Sequence, residues 1–596
     1  MNVRFGPVLS LCLALGSPLI SAPRADAQTV DVTYTLGATA GTLQPLVGIN
    51  AGPLHWSTAT GTKDATLGLT SIGVKSVRSH DFPGAFDMSV MYPDRTKDPS
   101  QSSSYNFSTG GSLNGKSAEY GSDAAATAVK AAGATLHLRI WDSSADLAVP
   151  SLAERANWIA AVVQIVRHYQ QGQWNGFTNL VTAVEIGNEP DSSGFWPSTS
   201  SREDFYALYS ETALALRSAF PTLKIGGPGV TEGAYKGNNG QAWIKAFLDY
   251  IKRTGAPLDF LSWHTYTNTP DDYGTGATYL RTELTNRGFT NTEQFVTEWH
   301  TSVTPTTDQT QDAANVETRT MGKAAALTTT SWITMQQSGV TQAFIYRAND
   351  PGASDLSRYG IFDTNALPRK TALAFSLWSE FAAYTDRIDP VASVTVTGLK
   401  ALAAQRADGQ LALLVANTGS ATRRFTVAFA DTRRLSNYTL SLETVDDSHT
   451  LVSVSAPTGT TVDIAPNTVQ LLTLNAHTGS YAASASAFGT TTGLVLSGTI
   501  QVAGSDIGRA FNVYVARIVN GQYAFYNGAS WVSYTSGSYP SYSSGVLPAV
   551  ISIPIYSAST SVQSLLGAQF LIGYGTSSSE MLSAGRFRTV FTVPSS

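Results

Sequence analysis

The chain has 596 residues, too many for one hydrophobic core, so about two to four domains are expected. Hydrophobic residues make up 42% and charged residues only 14%, with 51 glycines, a balance that suits a turn-rich extracellular protein better than a disordered or coiled-coil chain. A formal net charge of -5 without a Lys/Arg run argues against nucleic acid as a partner.

The first residues read as an export signal over 1–27: Arg4, an apolar stretch over 8–20, then Ala25-Asp26-Ala27 as a small-x-small cleavage site. Cleavage is expected near Ala27, with a secreted, periplasmic or extracellular product. The stretch is broken by Pro18 and falls short of the roughly 20 residues that span a bilayer, so no stable membrane insertion is expected. Cys12, the only cysteine, lies inside it. A mature chain without thiols excludes disulfides, a zinc-thiolate site and a cysteine nucleophile.

Residues 28–44 hold a strand, 30–36, that is expected to join a later β-sandwich. From 45 to 384, short β-rich runs alternate with helical stretches. Eight candidate strands, 46–50, 75–80, 135–141, 181–187, 224–227, 260–264, 294–297 and 343–346, fit a closed (β/α)8 TIM barrel. Helices are expected between them, for example 152–169, with Ile159, Val162, Val163 and Val166 on one face, and 202–220. No Gly-rich phosphate loop follows the first strand, which disfavours an open dinucleotide-binding sheet. Residues 385–476 read as a β-sandwich, with strands such as 412–415, 425–429 and 469–474. After a Ser/Gly/Ala linker near 477–486, residues up to 596 read as a separate all-β domain suited to carbohydrate binding or surface association. The fold class is therefore α/β.

Cleaving a glycosidic bond takes two carboxyl groups facing one another, one to protonate the leaving oxygen and one to attack or to activate water. In a barrel such groups sit at the C-terminal ends of strands. Glu189 follows the fourth strand in Val184-Glu185-Ile186-Gly187-Asn188-Glu189-Pro190, and Glu298 follows the seventh in Phe295-Val296-Thr297-Glu298-Trp299. Arg78 with His80, His137 with Arg139 and Trp141, and His264 with Tyr266 also lie late in their strands, where alternation puts each set on one side. Trp141, Trp299 and Trp196 are expected to stack on sugar faces, and 83–106, with Phe86, Tyr92 and Tyr105, to form a wall of the site.

These motifs resemble the clan of retaining (β/α)8 glycosidases. Asn188-Glu189-Pro190, Trp263-His264-Thr265-Tyr266 and Thr297-Glu298-Trp299, with His80-Asp81 at the second strand, most resemble glycoside hydrolase family 39 over roughly residues 40 to 475. That family includes β-xylosidases, α-L-iduronidases and exopolysaccharide glycosidases. The resemblance implies that Glu189 is the general acid/base, Glu298 the nucleophile, Asn188 the holder of the sugar 2-hydroxyl and Tyr266 a hydrogen-bond partner of the nucleophile. His80, Asp81, Trp141, His264, Trp299 and Arg347 complete the expected substrate contacts, on a polysaccharide or oligosaccharide such as a hemicellulose or bacterial exopolysaccharide.

Other readings stay open. His80 and His264 could be satisfied core histidines, or form a metal site with Glu189, although no ligand spacing for a metal occurs and no cofactor is expected. Arg78, Arg139 and Arg347 could orient carboxylates or read an anionic sugar. The chain could also be a carbohydrate-binding or matrix protein without catalysis. The aromatics Tyr523, Tyr526, Trp531 and Tyr534 of the last domain could contact sugar or pack its core.

Overall fold

The computed structural model describes residues 29–595 apart from 56–62, 81–83, 110–111, 114–115, 118–119, 144–148, 303–308, 351–355, 458 and 477–479. The leader expected over 1–27 and Asp81 lie outside the described residues. Eight parallel strands close into a barrel: β1 (Gly48–Asn50), β2 (Ser76–Arg78), β3 (Thr135–Ile140), β4 (Val181–Ile186), β5 (Lys224–Val230), β6 (Phe260–Tyr266), β7 (Glu293–His300) and β8 (Gln342–Ile345). The expected (β/α)8 barrel is borne out. Strands β5, β6 and β7 run past their expected ends, and the register slips between Pro228 and Val230 of β5 and between Val296 and Glu298 of β7. Such bulges let a strand stay paired while it re-aims its side chains.

The helix expected from 152 begins at Arg155 and ends at Gln171. Leu152 is left outside it at 84% exposure. Its buried face is Trp158, Val162, Ile165, Val166 and Tyr169, so Ile159 and Val163 sit at the edge of the stripe rather than its centre. The helix Arg202–Ala219 starts from a capping box: Ser201 Oγ accepts from the Asp204 N–H, and the Asp204 carboxylate accepts from the Ser201 N–H.

Beyond the barrel the chain forms two further sheets that pack as a sandwich. Val32–Leu36 lies parallel to Arg423–Phe429 in the smaller one, and Gly41–Thr42 pairs with Asp386–Ile388 in the larger. Every residue of the strand Leu411–Asn417 is buried. Leu411, Leu413 and Val415 face the smaller sheet, while Ala412, Leu414 and Ala416 share the barrel's core, which removes the usual polar alternation.

The C-terminal region is all-β apart from short helical turns, with Ala510–Val519 and Gln569–Gly575 central to its larger sheet. The linker expected over 477–486 is corrected: 482–486 already belong to the strand Ala482–Thr490, whose small side chains pair residue for residue with Gly493–Gln501. Ser71, at the end of the barrel helix Thr66–Ser71, fastens that strand. Its Oγ donates to the Ala487 carbonyl at 2.8 Å and accepts from the Ala487 N–H at 2.6 Å. Among the described residues no helix is long and apolar enough to cross a membrane.

Leu471 is fully buried in the core common to barrel and sandwich. Leu471→Ala should therefore cost about 2–5 kcal/mol and shift barrel and sandwich together. Urea unfolding followed by tryptophan fluorescence, which reports mainly the barrel because all of the 11 tryptophans but Trp531 lie between Trp56 and Trp378, checks this; an unchanged barrel transition would contradict it.

Candidate active site

A buried guanidinium is tolerated only where acceptors meet its donors. Arg78, the last residue of β2, has no exposed surface. Its Nε donates to Glu185 Oε2 at 2.5 Å, Nη1 to Glu298 Oε1 at 2.8 Å and Asn50 Oδ1 at 3.0 Å, and Nη2 to Asn188 Oδ1 at 2.7 Å. Groups carried by β1, β4 and β7 are thus drawn to one cation. Burial opposes the charge on Glu185, but Arg78 and then His137 outweigh it and hold the carboxyl well below its ordinary range. Asn50 also donates through Nδ2 to the Thr297 and Phe344 carbonyls, at 2.8 and 3.0 Å, fixing β7 where its register slips.

Because of that slip, consecutive residues of β7 both reach the barrel interior. Thr297 Oγ1 donates to Glu185 Oε1 at 2.8 Å. Glu298 accepts from Arg78 and from the Tyr266 hydroxyl, the latter at 2.9 Å, and His80 Nε2 lies 3.3 Å away. Glu189 follows β4 with a φ of 45°, a left-handed conformation that few side chains adopt. Its N–H donates to the Gly229 carbonyl at 2.8 Å, and its Oε1 lies 2.9 Å from His264 Nδ1. One oxygen of Glu189, one of Glu298 and a ring nitrogen of His264 lie within 4.8 Å of one another. Such a trio could also hold a cation, but the guanidinium bonded to Glu298 already supplies positive charge there.

The two histidines are driven in opposite directions. Burial lowers His264, and the neighbouring Glu298 and Glu189 outweigh it, so its pKa is raised. Burial, with Arg139 and Arg78, pushes His80 well below the ordinary histidine value.

The structure brings together Glu189, Glu298, Asn188, His80, His264 and Tyr266. Asn188 is pinned through Oδ1 and leaves Nδ2 without a partner among the described residues. Arg347, 9% exposed, lies beside the Tyr346 ring and close enough to His80 to disfavour its charge. Trp141 and Trp299 are corrected. β3 ends at Ile140, so alternation no longer governs Trp141, which is fully buried against Trp158, Trp196 and Phe205 and donates its Nε1–H to the Phe195 carbonyl. Trp299, next after the inward-facing Glu298, alternates to the other face of β7 and packs on Tyr273 and Trp332. Trp196 is also buried. In the expected wall, Phe86 and Tyr92 point into the core, and Tyr105 stacks on Phe107.

Sequence reasoning missed Asn50, Glu185 and Thr297. Glu185 could have been noticed as a charge inside an otherwise apolar strand. It also missed the ties of the wall to the end of β3. Asp87 accepts from Arg139 at 2.8 Å and from the Ser143 N–H at 3.0 Å, while Asp142 accepts from the Ser89 N–H at 2.8 Å and lies 3.4 Å from Arg95.

Residues 146–384 match the model of glycosyl hydrolases family 39, and the expected likeness to that family is borne out over them. A β-xylosidase of Geobacillus stearothermophilus is 31% identical over 112 residues, 19% of this chain and 20% of that protein. A β-xylosidase of Caldicellulosiruptor saccharolyticus is 32% identical over 83 residues, 14% of this chain and 15% of that protein. The chain thus spans a fifth or less of the length of these curated relatives. The crystal structure of a glucosidase from Croceicoccus marinus superposes with a TM-score of 0.60 at 25% identity, covering 74% of this chain and 98% of the other. A family 51 arabinofuranosidase from Xanthomonas axonopodis pv. citri shares the fold, with a TM-score of 0.52 at 13% identity over 75% of this chain and 100% of the other.

Burial and the nearby Asp87 push the Asp142 carboxyl up to about 7. A raised folded pKa means the fold binds a proton that the unfolded chain has released, so this stability is fully present below about pH 4 and lost as pH rises towards about 7. Asp142→Asn should remove that dependence. Urea denaturation across this window checks it, and parallel curves for variant and wild type would contradict it.

Proposed function

We propose, from the premise that residues 146–384 carry the sequence pattern of glycosyl hydrolases family 39, that this chain is a retaining glycoside hydrolase with Glu298 as nucleophile and Glu189 as general acid/base. The observation that carries the reading is the approach of their carboxylates, with one oxygen of each within 4.8 Å. Retaining enzymes hold these groups about 5–5.5 Å apart, and inverting enzymes leave about 6.5–9.5 Å for a water.

In the first step Glu298 attacks the anomeric carbon while Glu189 gives its proton to the departing oxygen. In the second, Glu189 takes a proton from water, which releases the sugar from Glu298. Arg78 and the Tyr266 hydroxyl hold the two Glu298 oxygens, which fixes the direction of attack. The Nδ2 of Asn188, without a partner among the described residues, is suited to the sugar 2-hydroxyl, and His80, beside Glu298, and Arg347, beside the Tyr346 ring, to further hydroxyls. We take the substrate to be a polysaccharide or oligosaccharide, a hemicellulose or a bacterial exopolysaccharide. Its support is that relatives of this barrel are called β-xylosidases and a glucosidase. Export of the enzyme rests on the leader pattern of residues 1–27.

A panel of aryl glycosides identifies the sugar. On the best of them, Glu298→Gln should abolish turnover, and Glu189→Gln should slow substrates that need protonation by about 10²–10⁴-fold. NMR of the first-formed product should show the substrate's anomeric configuration; an inverted product, or an active Glu298→Gln variant, contradicts the assignment.

A further inference from the structure

A chain of hydrogen bonds that the double displacement leaves unused runs from the buried Glu185 to Glu189. Thr297 Oγ1 donates to Glu185 Oε1 at 2.8 Å, His264 Nε2 lies 3.2 Å from the same Thr297 Oγ1, and His264 Nδ1 lies 2.9 Å from Glu189 Oε1. Thr297 and Glu185 have no exposed surface and His264 is 1% exposed, so no bulk water competes with the Glu185–Thr297–His264 contacts, and only the Glu189 end, with its side chain 19% exposed, meets the cavity. Glu185 and Thr297 lie on β4 and β7, the strands that carry the two carboxyls, and His264 lies on β6, the neighbour of β7.

The directions of the bonds follow from the number of protons. Glu185, paired with Arg78, is an ionised acceptor, so the hydroxyl of Thr297 spends its one hydrogen on it. Thr297 Oγ1 can then only accept from His264, which places a hydrogen on Nε2. The remaining nitrogen, Nδ1, faces Glu189. If the ring is neutral, Nδ1 accepts from the Glu189 hydroxyl; if it is charged, Nδ1 donates to the carboxylate. Either way one proton sits on the Glu189–His264 contact.

We infer that Thr297 and Glu185 are positioning residues for the acid/base: by fixing which nitrogen of His264 carries its hydrogen, they keep a proton at Glu189 ready for the leaving oxygen. The inference rests on the role proposed for Glu189. The backbone around the chain is fitted to it. At Gly229, with φ of +64°, an added Cβ would lie 3.1 Å from both Glu185 Oε1 and His264 Nε2, and the carbonyl of this glycine receives the Glu189 N–H. Glu185 reaches the nucleophile by a second route, through Arg78. Among the described residues the Thr297 hydroxyl bonds only His264 and Glu185, and it reaches the nucleophile only at a further remove, through Glu185 and Arg78, which makes it the position to test.

Thr297→Val keeps the shape and removes the hydroxyl. With the sugar found in the aryl glycoside panel, kcat/KM is measured on a phenyl glycoside, whose leaving group needs protonation, and on a 2,4-dinitrophenyl glycoside, whose leaving group does not. The phenyl glycoside should lose about tenfold or more and the activated one less than about twofold, with Thr297→Ser restoring the loss. Glu185→Gln should slow both substrates, because it also disturbs Arg78. An equal loss on both substrates for Thr297→Val, or no loss at all, overturns the inference while leaving the role of Glu189 intact. Should Glu189→Gln itself fail to separate the two leaving groups, the role of Glu189 falls instead.

Discussion

One buried cation organises this barrel. The guanidinium of Arg78 meets Glu185, Glu298, Asn188 and Asn50, carried by three different strands and the turn after one of them. Removing one partner from such a buried set leaves an uncompensated charge and typically costs about 3–5 kcal/mol. Each of the four is therefore held to a narrow range of positions. The partly exposed Glu189 then completes the set from the opposite wall, with His264 between it and Glu298.

The strands do not deliver these groups by regular alternation. A regular β7 would send Thr297 and Glu298 to opposite faces. The slip between Val296 and Glu298 sends both inward, one towards Glu185 and the other towards Arg78 and Tyr266. Asn50 anchors the backbone at that point. A similar slip in β5 brings the Gly229 carbonyl under Glu189, where it holds the residue at its positive φ. The sandwich and the C-terminal sheets take no direct part in this geometry. They cover helices on the outside of the barrel, through Leu414 and Leu471 on one side and Ser71 on another.

Glu189 and Glu298 could be found in the sequence because each follows an apolar strand run, and the barrel because eight such runs recur with helices between them. Both are local patterns. Trp141 and Trp299 went astray for separate reasons: Trp141 lies past the end of β3, and Trp299, next to the inward-facing Glu298, alternates outward into the helical layer. Leu411–Asn417 looks like a lone buried strand until the barrel is placed against its second face. Residues 482–486 have the composition of a linker, yet small side chains are what a close sheet contact demands. Glu185 lay in plain view inside the fourth strand, but its partners, Arg78 and Thr297, stand 107 and 112 positions away. Sequence alone gives no pairing over such distances.

The central claim is that Glu298 forms a covalent bond to the sugar. Incubating the protein with a 2-deoxy-2-fluoro glycoside bearing a good leaving group, then measuring intact and peptide masses, tests it directly. One adduct per chain, on the peptide carrying Glu298, is the predicted result. An adduct on Glu189, Glu185 or any other residue, with Glu298 unlabelled, would contradict it.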